Sequence, residues 1–328
     1  PLSFEEVKDD VVAIPPRDMK KLEEVIPSDI KYEDVEPHKI DINEMLKNEI
    51  FMIGVRLKKF FGFLERWVPF CSMPTWLDSL PMTDWYMIHA GNGCMGNCTF
   101  CAIKHARGKI QSTPIDVIIP QVEKAVKEGF KTISFAGTDM GCWGHDLGLN
   151  LADLLNEVAK VKGDFHIDMH YVEPEWILKL QDKLFPIFES GLVKTFGSPV
   201  QSGSNRILKL MGRGYTVEQY IEMVNRIIDK TKVRSMNSIV MVGFPSETIE
   251  DYLETYNLIN RVKISYWCLL RYEGRYKVAA ERINPKIPDD VKDYRRMRLV
   301  RKVQLRNYLG LPEFMVEPLV KLRYGTMR

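Results

Sequence analysis

From residue 84 onward, short apolar runs alternate with longer stretches in which apolar residues recur every three or four positions. The runs WYMIHA (85–90), KTISFAG (131–137), DFHIDMHYV (164–172), LVKTFGSPV (192–200), SMNSIVMVGF (235–244) and ISYWCLLRY (264–272) have the length and the β-branched and aromatic content of strands. Between them, 114–128, 151–161, 174–189, 206–211, 217–229 and 246–259 carry the helical period. Ser246 reads as the cap of the last of these, with Glu247 in its first turn. Six strands alternating with helices call for a parallel sheet with right-handed crossovers, which an open or closed βα barrel provides. Its chemistry belongs at the C-terminal strand ends, and the loop after the first strand lies on that edge.

Before residue 84 the pattern is mixed. A helical period appears near 19–26, and a longer amphipathic one over 42–67 sets Met45, Ile53, Leu57, Phe60, Phe61 and Leu64 against Lys47, Arg56, Lys58 and Lys59. Such a basic amphipathic helix can lie on a membrane or grip a partner. The simpler expectation is a helix packed on the main domain with its lysines in water. The chain thus divides into a mostly helical N-terminal extension (1–80), a barrel (81–308) and a C-terminal tail (309–328). The run RRMRLVRKVQLR (295–306) places six basic residues on a helix, with Met297, Leu299, Val300, Val303 and Leu305 supplying an apolar side. It reads either as a phosphate-contacting surface or as a solvated helix face.

Charge is unevenly spread. Residues 1–44 carry 13 acidic and 6 basic side chains, whereas the remaining chain carries 31 acidic and 40 basic ones. The acidic start reads as a solvated extension. No run of 18 apolar residues occurs, so no membrane span is expected, and PLSFEEVKDD shows no signal peptide. Six cysteines in 328 residues make no disulfide scaffold. A reducing, cytoplasmic setting follows, and with it a metal site.

Three of the six cysteines fall within eight positions in GCMGNCTFCAIKHARGK (93–109), as Cys94, Cys98 and Cys101. Structural zinc wants four ligands, and Cys71, Cys142, Cys268, His89 or His105 would have to supply the fourth. Three thiolates on one short loop also suit three irons of a cubane cluster, leaving the fourth iron open to another ligand. Cys142, between Gly141 and Trp143-Gly144, closely follows the second predicted strand and belongs to the same edge. It reads as a second-cluster ligand, a radical partner or a carrier of a transferred group, or else as a small hydrophobe under Trp143. His89, His105, His145 and His170, near strand ends, receive no role.

The C-x3-C-x2-C spacing after the first strand of a βα barrel, with Phe100 before the third cysteine, resembles the radical S-adenosylmethionine (SAM) superfamily. The loop through GKIQSTPID, PVQSGSNRILKLMGRGYT (199–216), VGFPSETIEDY (242–252) and IPDDVKDYRRMR (287–298) are similar to motifs of its methylthiotransferases. The resemblance implies a partial (β/α)6 barrel of the α/β class. A 4Fe-4S cluster on Cys94, Cys98 and Cys101 would bind SAM at its open iron, and a flavodoxin or ferredoxin-type protein would supply electrons. One electron then splits SAM, and the 5′-deoxyadenosyl radical abstracts hydrogen from an unactivated carbon. Phe100, Ala136, Gly137, Thr138, Gln201, Ser202 and Gly243 fall where that family contacts SAM or substrate. For Ser202 the simpler role is capping the next helix.

Departures from the methylthiotransferase pattern bear on the reaction. Residues 1–80 hold one cysteine, Cys71, where the family carries three for a second cluster, and about twenty residues follow the closing helix where an RNA-binding barrel is usual. Gly197 stands where histidine is frequent, Ile239 where aspartate is usual and Asp168 near a common arginine. The leading expectation is therefore radical hydrogen abstraction on an unidentified substrate, without sulfur transfer. Methylthiotransferase-type transfer to RNA, a peptide or a small molecule is the alternative, and a non-catalytic Fe-S or zinc protein is the third. RNA is the less favoured substrate, and no cobalamin-type domain is visible.

Overall fold

The computed structural model describes residues 85–324 apart from 276 and 309. The acidic extension, the 42–67 amphipathic pattern and Cys71 lie outside the described residues.

All six expected strands form: β1 (Trp85–Asn92), β3 (Thr132–Gly137), β4 (His166–Tyr171), β5 (Val193–Gly197), β6 (Ser235–Val242) and β7 (Tyr266–Arg271). They pair in parallel, and a short β2 (Gln111–Ser112) adds antiparallel to the β1 edge, giving the order β2-β1-β3-β4-β5-β6-β7. The sheet is an open, partial βα barrel. β2 is too short for the hydrophobic pattern to announce, and it forms because the chain returns from the 93–109 loop alongside Gly91 and Asn92.

The helices are α1 (Ile103–Arg107), α2 (Ile115–Lys127), α3 (Leu151–Val158), α4 (Pro174–Lys179), α5 (Gln181–Ser190), α6 (Asn205–Leu210), α7 (Val217–Lys230), α8 (Ile249–Arg261), α9 (Asp289–Val303) and α10 (Glu313–Tyr324). Capping boxes start α3 (Asn150 with Asp153), α7 (Thr216 with Gln219) and α8 (Thr248 with Asp251). The α8 cap is Thr248 rather than the expected Ser246. Ser246 takes a φ of 65° and its hydroxyl and carbonyl accept from Arg206, while Glu247 turns inward to accept from Gly243 N–H and Arg295. The expected single helix over 174–189 breaks at Leu180. Its first part is fixed by the Trp176 indole N–H, which donates to Asp139 at 3.1 Å.

One face of each strand packs on helices. Ile133, Phe135, Ile167, Met169, Phe196, Met236 and Val240 meet Val122, Leu154, Leu155, Phe188, Val224 and Leu258 in one core. Burying each such side chain contributes about 1.5–3 kcal/mol.

The basic run on α9 behaves differently from either expected reading. Leu299, Val303 and Leu305 are buried, but so are Arg295, Arg298 and Lys302, while Met297 is exposed. Arg295 pairs with Glu247, Arg298 with Glu317 at 3.1 Å and Lys302 with Glu313 at 3.0 Å. Glu313 and Glu317 belong to α10, whose Val316 and Val320 bury against Leu305. Of the six cations, Arg298 and Lys302 thus hold the C-terminal helix, and Arg295 ties α9 to the turn after β6.

Candidate active site

Residues 93–109 link β1 to β2 at the C-terminal edge of the sheet. Gly93 opens the loop with a φ of 82°, against the Lys109 carbonyl, a geometry that only glycine takes freely. Cys94 N–H donates to the Gly108 carbonyl at 3.3 Å, closing the loop's neck. Its far side is clamped to the end of α6: Thr99 N–H donates to the Met211 carbonyl (3.0 Å) and Thr99 Oγ1 to the Leu210 carbonyl (2.8 Å). From the other side Ala280 N–H donates to the Thr99 carbonyl at 2.9 Å. Phe100 joins a small apolar cluster with Ile207, Met211, Phe244 and Tyr272, meeting Phe244 edge-on at 6.5 Å.

Cys94, Cys98 and Cys101 are free, half-exposed thiols on this clamped loop. Gly96 lies between two of them: a Cβ there would sit 3.3 Å from the Cys94 sulfur and 3.4 Å from that of Cys98. Gly96 N–H also donates to Cys94 Sγ at 3.2 Å. The Cys142 thiol, within hydrogen-bond reach, lowers the pKa of Cys94. Burial pushes Cys98 up to about 12 and raises Cys101. Among the described residues no three His, Cys, Asp or Glu side chains converge to hold one metal ion. A single zinc needs such convergence, whereas a cubane takes one thiolate per iron. The loop fits the cluster.

Cys142 ends a short 3-10 turn, Met140–Cys142, after β3 and is 1% exposed. Its thiol donates to the Asp139 carbonyl at 3.3 Å, and both the neighbouring Cys94 and burial hold its pKa far up. It lies at the predicted edge but under the loop, so it touches Cys94 rather than an open site. The roles of radical partner and group carrier expected for it need a reach that burial removes. Next to it, the buried Asp139 accepts from Gly141 N–H (2.9 Å), Glu173 N–H (3.1 Å) and the Trp176 indole. Burial, with the Glu173 charge as a second cause, pushes the Asp139 carboxyl up to about 6.

The other expected residues separate into two groups. Ala136 and Gly137 end β3 beside the loop and Thr138 follows them, with Gly137 paired to Gly91. Arg107 bridges Asn92 Oδ1 (3.2 Å) and Thr138 Oγ1 (3.4 Å). Gln201 follows β5 with a φ of 69°, and its buried Oε1 has no partner among the described residues. An orphaned buried acceptor at this edge fits a ligand that brings a donor, as the amino group of SAM does. Ser202 turns away: it is fully buried, and its hydroxyl is taken by Thr255 Oγ1 (3.2 Å) and Ser204 N–H (3.1 Å). Beside Gly243 the space is filled by the stem of Lys292 from α9, so packing and a φ of 75° account for that glycine.

The sequence reading missed Asp139, Glu173 and Arg213. Arg213 is buried and ion-paired with Glu173, and its guanidinium lies 5.5 Å from the Phe100 ring centre. It stands inside GRGYT, where nothing in the sequence separates it from a solvated arginine.

The radical SAM superfamily pattern matches residues 88–259. The chain belongs to the radical SAM superfamily. Its cofactors are a 4Fe-4S cluster and SAM, and it is an enzyme. It is 38% identical over 213 residues to the threonylcarbamoyladenosine tRNA methylthiotransferase MtaB of Aquifex aeolicus, covering 64% of this chain and 51% of that protein. It is 34% identical over 224 residues to the tRNA-2-methylthio-N(6)-dimethylallyladenosine synthase of Thermotoga petrophila, covering 65% of this chain and 48% of that one. The chain thus spans about half the length of the curated relatives it matches. Coproporphyrinogen III oxidase (HemN) from Escherichia coli superposes with a TM-score of 0.47 at 17% identity, over 68% of this chain and 52% of that one. No helix among the described residues is long and apolar enough to cross a membrane.

Proposed function

We propose that this chain is the catalytic barrel of a tRNA methylthiotransferase that places a methylthio group on a modified adenosine. The supporting observation is the 38% identity over 213 residues to a tRNA methylthiotransferase. The relatives quoted differ in the modification their adenosine carries, and share methylthio addition. This reading replaces the expected preference for radical chemistry without sulfur transfer.

In this reading Cys94, Cys98 and Cys101 would hold the cluster, with SAM bound beside it. When bound, the two cofactors supply one-electron chemistry able to remove a hydrogen atom from an unactivated carbon. The protein's share is placement. Thr99 and Ala280 fix the loop, Phe100 and Phe244 wall its apolar side, and the Gln201 side-chain oxygen Oε1 offers an acceptor. A flavodoxin or ferredoxin-type protein provides the electrons, and the five free thiols among the described residues suit a reducing cytoplasm.

A second reading keeps the radical chemistry and drops sulfur transfer. It is favoured by one observation: Gly197, Ile239 and Asp168 within the barrel depart from the methylthiotransferase pattern. The deciding experiment incubates reconstituted protein anaerobically with SAM, dithionite, sodium sulfide as the sulfur source and tRNA, then digests the RNA for mass spectrometry. A modified adenosine in which methylthio replaces hydrogen is the expected product. Release of 5′-deoxyadenosine with every nucleoside unchanged would reject methylthio transfer in favour of the second reading.

A further inference from the structure

The inner face of the sheet is unlike its packed outer face. Along β6 burial alternates strictly: Met236, Ser238, Val240 and Val242 are buried, while Ser235, Asn237, Ile239 and Met241 are half-exposed. β7 continues this, with Trp267 and Leu269 buried and Tyr266, Cys268 and Leu270 open. The register carries one row of residues across four strands: Tyr171 pairs with Gly197, Gly197 with Asn237, and Asn237 with Tyr266. The row starts where β4 and β5 end, at the edge that carries the cysteine loop, and runs on to the first residues of β6 and β7.

A bulge between Met169 and Tyr171 turns the Tyr171 ring across its neighbour. A Cβ on Gly197 would lie 2.7 Å from Tyr171 Cδ1 and 3.0 Å from Cε1, so the ring rests on the glycine. It reaches far enough that Cys268 and Tyr266, after burial, are the neighbours that raise the phenol's pKa. Tyr171 nonetheless stays 41% exposed. Below the row, the floor is already satisfied: Asp168 accepts from Ser134 Oγ at 3.0 Å and from Thr195 Oγ1. The row itself is not. The carboxamide of Asn237 and the phenols of Tyr171 and Tyr266 make no hydrogen bond among the described residues.

We propose that Tyr171, Asn237 and Tyr266 seat the purine ring of the substrate adenosine, the tyrosines giving stacking surfaces and Asn237 reading the base edge. The proposal rests on the methylthiotransferase reading and adds to it the residues that choose the base. An asparagine carboxamide matches adenine, accepting from N6–H and donating to N7. One hydrogen on N6 suffices, so a substituted N6 is admitted. Guanine offers two acceptors on that edge and leaves the asparagine oxygen facing O6. Stacking on tyrosine is indifferent to base identity. Gly197 completes the seat, because any side chain there would displace Tyr171.

The test uses the reconstituted holoenzyme with SAM and two fluorescein-labelled oligouridines, one with a single central adenosine and one with guanosine there. Anisotropy should show the adenosine strand binding roughly tenfold more tightly. Asn237→Ala should erase that difference. Tyr171→Leu and Tyr266→Leu should weaken both strands alike, on the order of tenfold, with iron content and thermal midpoint confirming each variant's fold. Equal affinity of the unmodified protein for the two strands, or no binding of either, overturns the proposal without reference to any variant. A methylthio product formed by Asn237→Ala at the unmodified rate overturns the seat and leaves the function standing. An Asn237-dependent adenosine preference with no methylthio product upholds the seat and rejects the function.

Discussion

Arg213→Met isolates the buried charge pair that closes the cysteine loop from below. Arg213 and Glu173 keep 4% and 19% of their side-chain surface, and the guanidinium also lies over Phe100. Removing one partner of a buried pair costs about 3–5 kcal/mol, because the other charge stays behind without compensation. The residual exposure of Glu173 argues for the low end, and loss of the cation–π contact adds about 0.5–2 kcal/mol. At roughly 2–4 °C per kcal/mol for a domain of 150–250 residues, the melting midpoint should fall by roughly 7–20 °C. Calorimetry on equally iron-loaded samples measures this. Glu173→Gln in the Arg213→Met background should recover a large part, since the uncompensated charge is then gone. A single variant within about 1 kcal/mol of the parent, or a double variant whose losses simply add, would refute the claim that this pair supports the loop.

Cys98→Ala should abolish both cluster absorbance and 5′-deoxyadenosine formation; retained SAM cleavage would remove Cys98 from the ligand set. Cys142→Ala should keep about four irons per chain and lower the cluster's midpoint potential in an EPR-monitored titration, because the polar thiol within reach of the Cys94 sulfur is lost; an unchanged midpoint would leave Cys142 a packing residue. Asp251 accepts from Ser204, Thr248 N–H and Arg206, and these bonds, against the cost of burial, hold its pKa at about 2 rather than 3.8. A depressed acid stabilises the fold above its unfolded pKa, so stability should drop as pH falls from about 4 to 2. Asp251→Asn should flatten that drop in thermal melts, and an equally steep loss in the variant would contradict it.

The sequence by itself determined the barrel and the cluster loop. Both are local signals: apolar runs of strand length alternating with helical periods, and three thiols packed into eight positions. The start of the helix after β6 was legible to within two residues, with Thr248 and not Ser246 as its cap. Only the tertiary structure decided which polar groups face inward, since burial depends on what packs opposite. Arg295, Arg298 and Lys302 read as surface cations until Glu247, Glu313 and Glu317 arrive from other elements to pair them. Ser202 and Gln201 are neighbours in sequence, yet one hydroxyl is consumed by Thr255 and the other residue's amide oxygen is left open. The row Tyr171–Gly197–Asn237–Tyr266 is the furthest from anything legible along the chain. Its members come from four strands, and a shift of one residue in any pairing would turn that residue to the opposite face of the sheet.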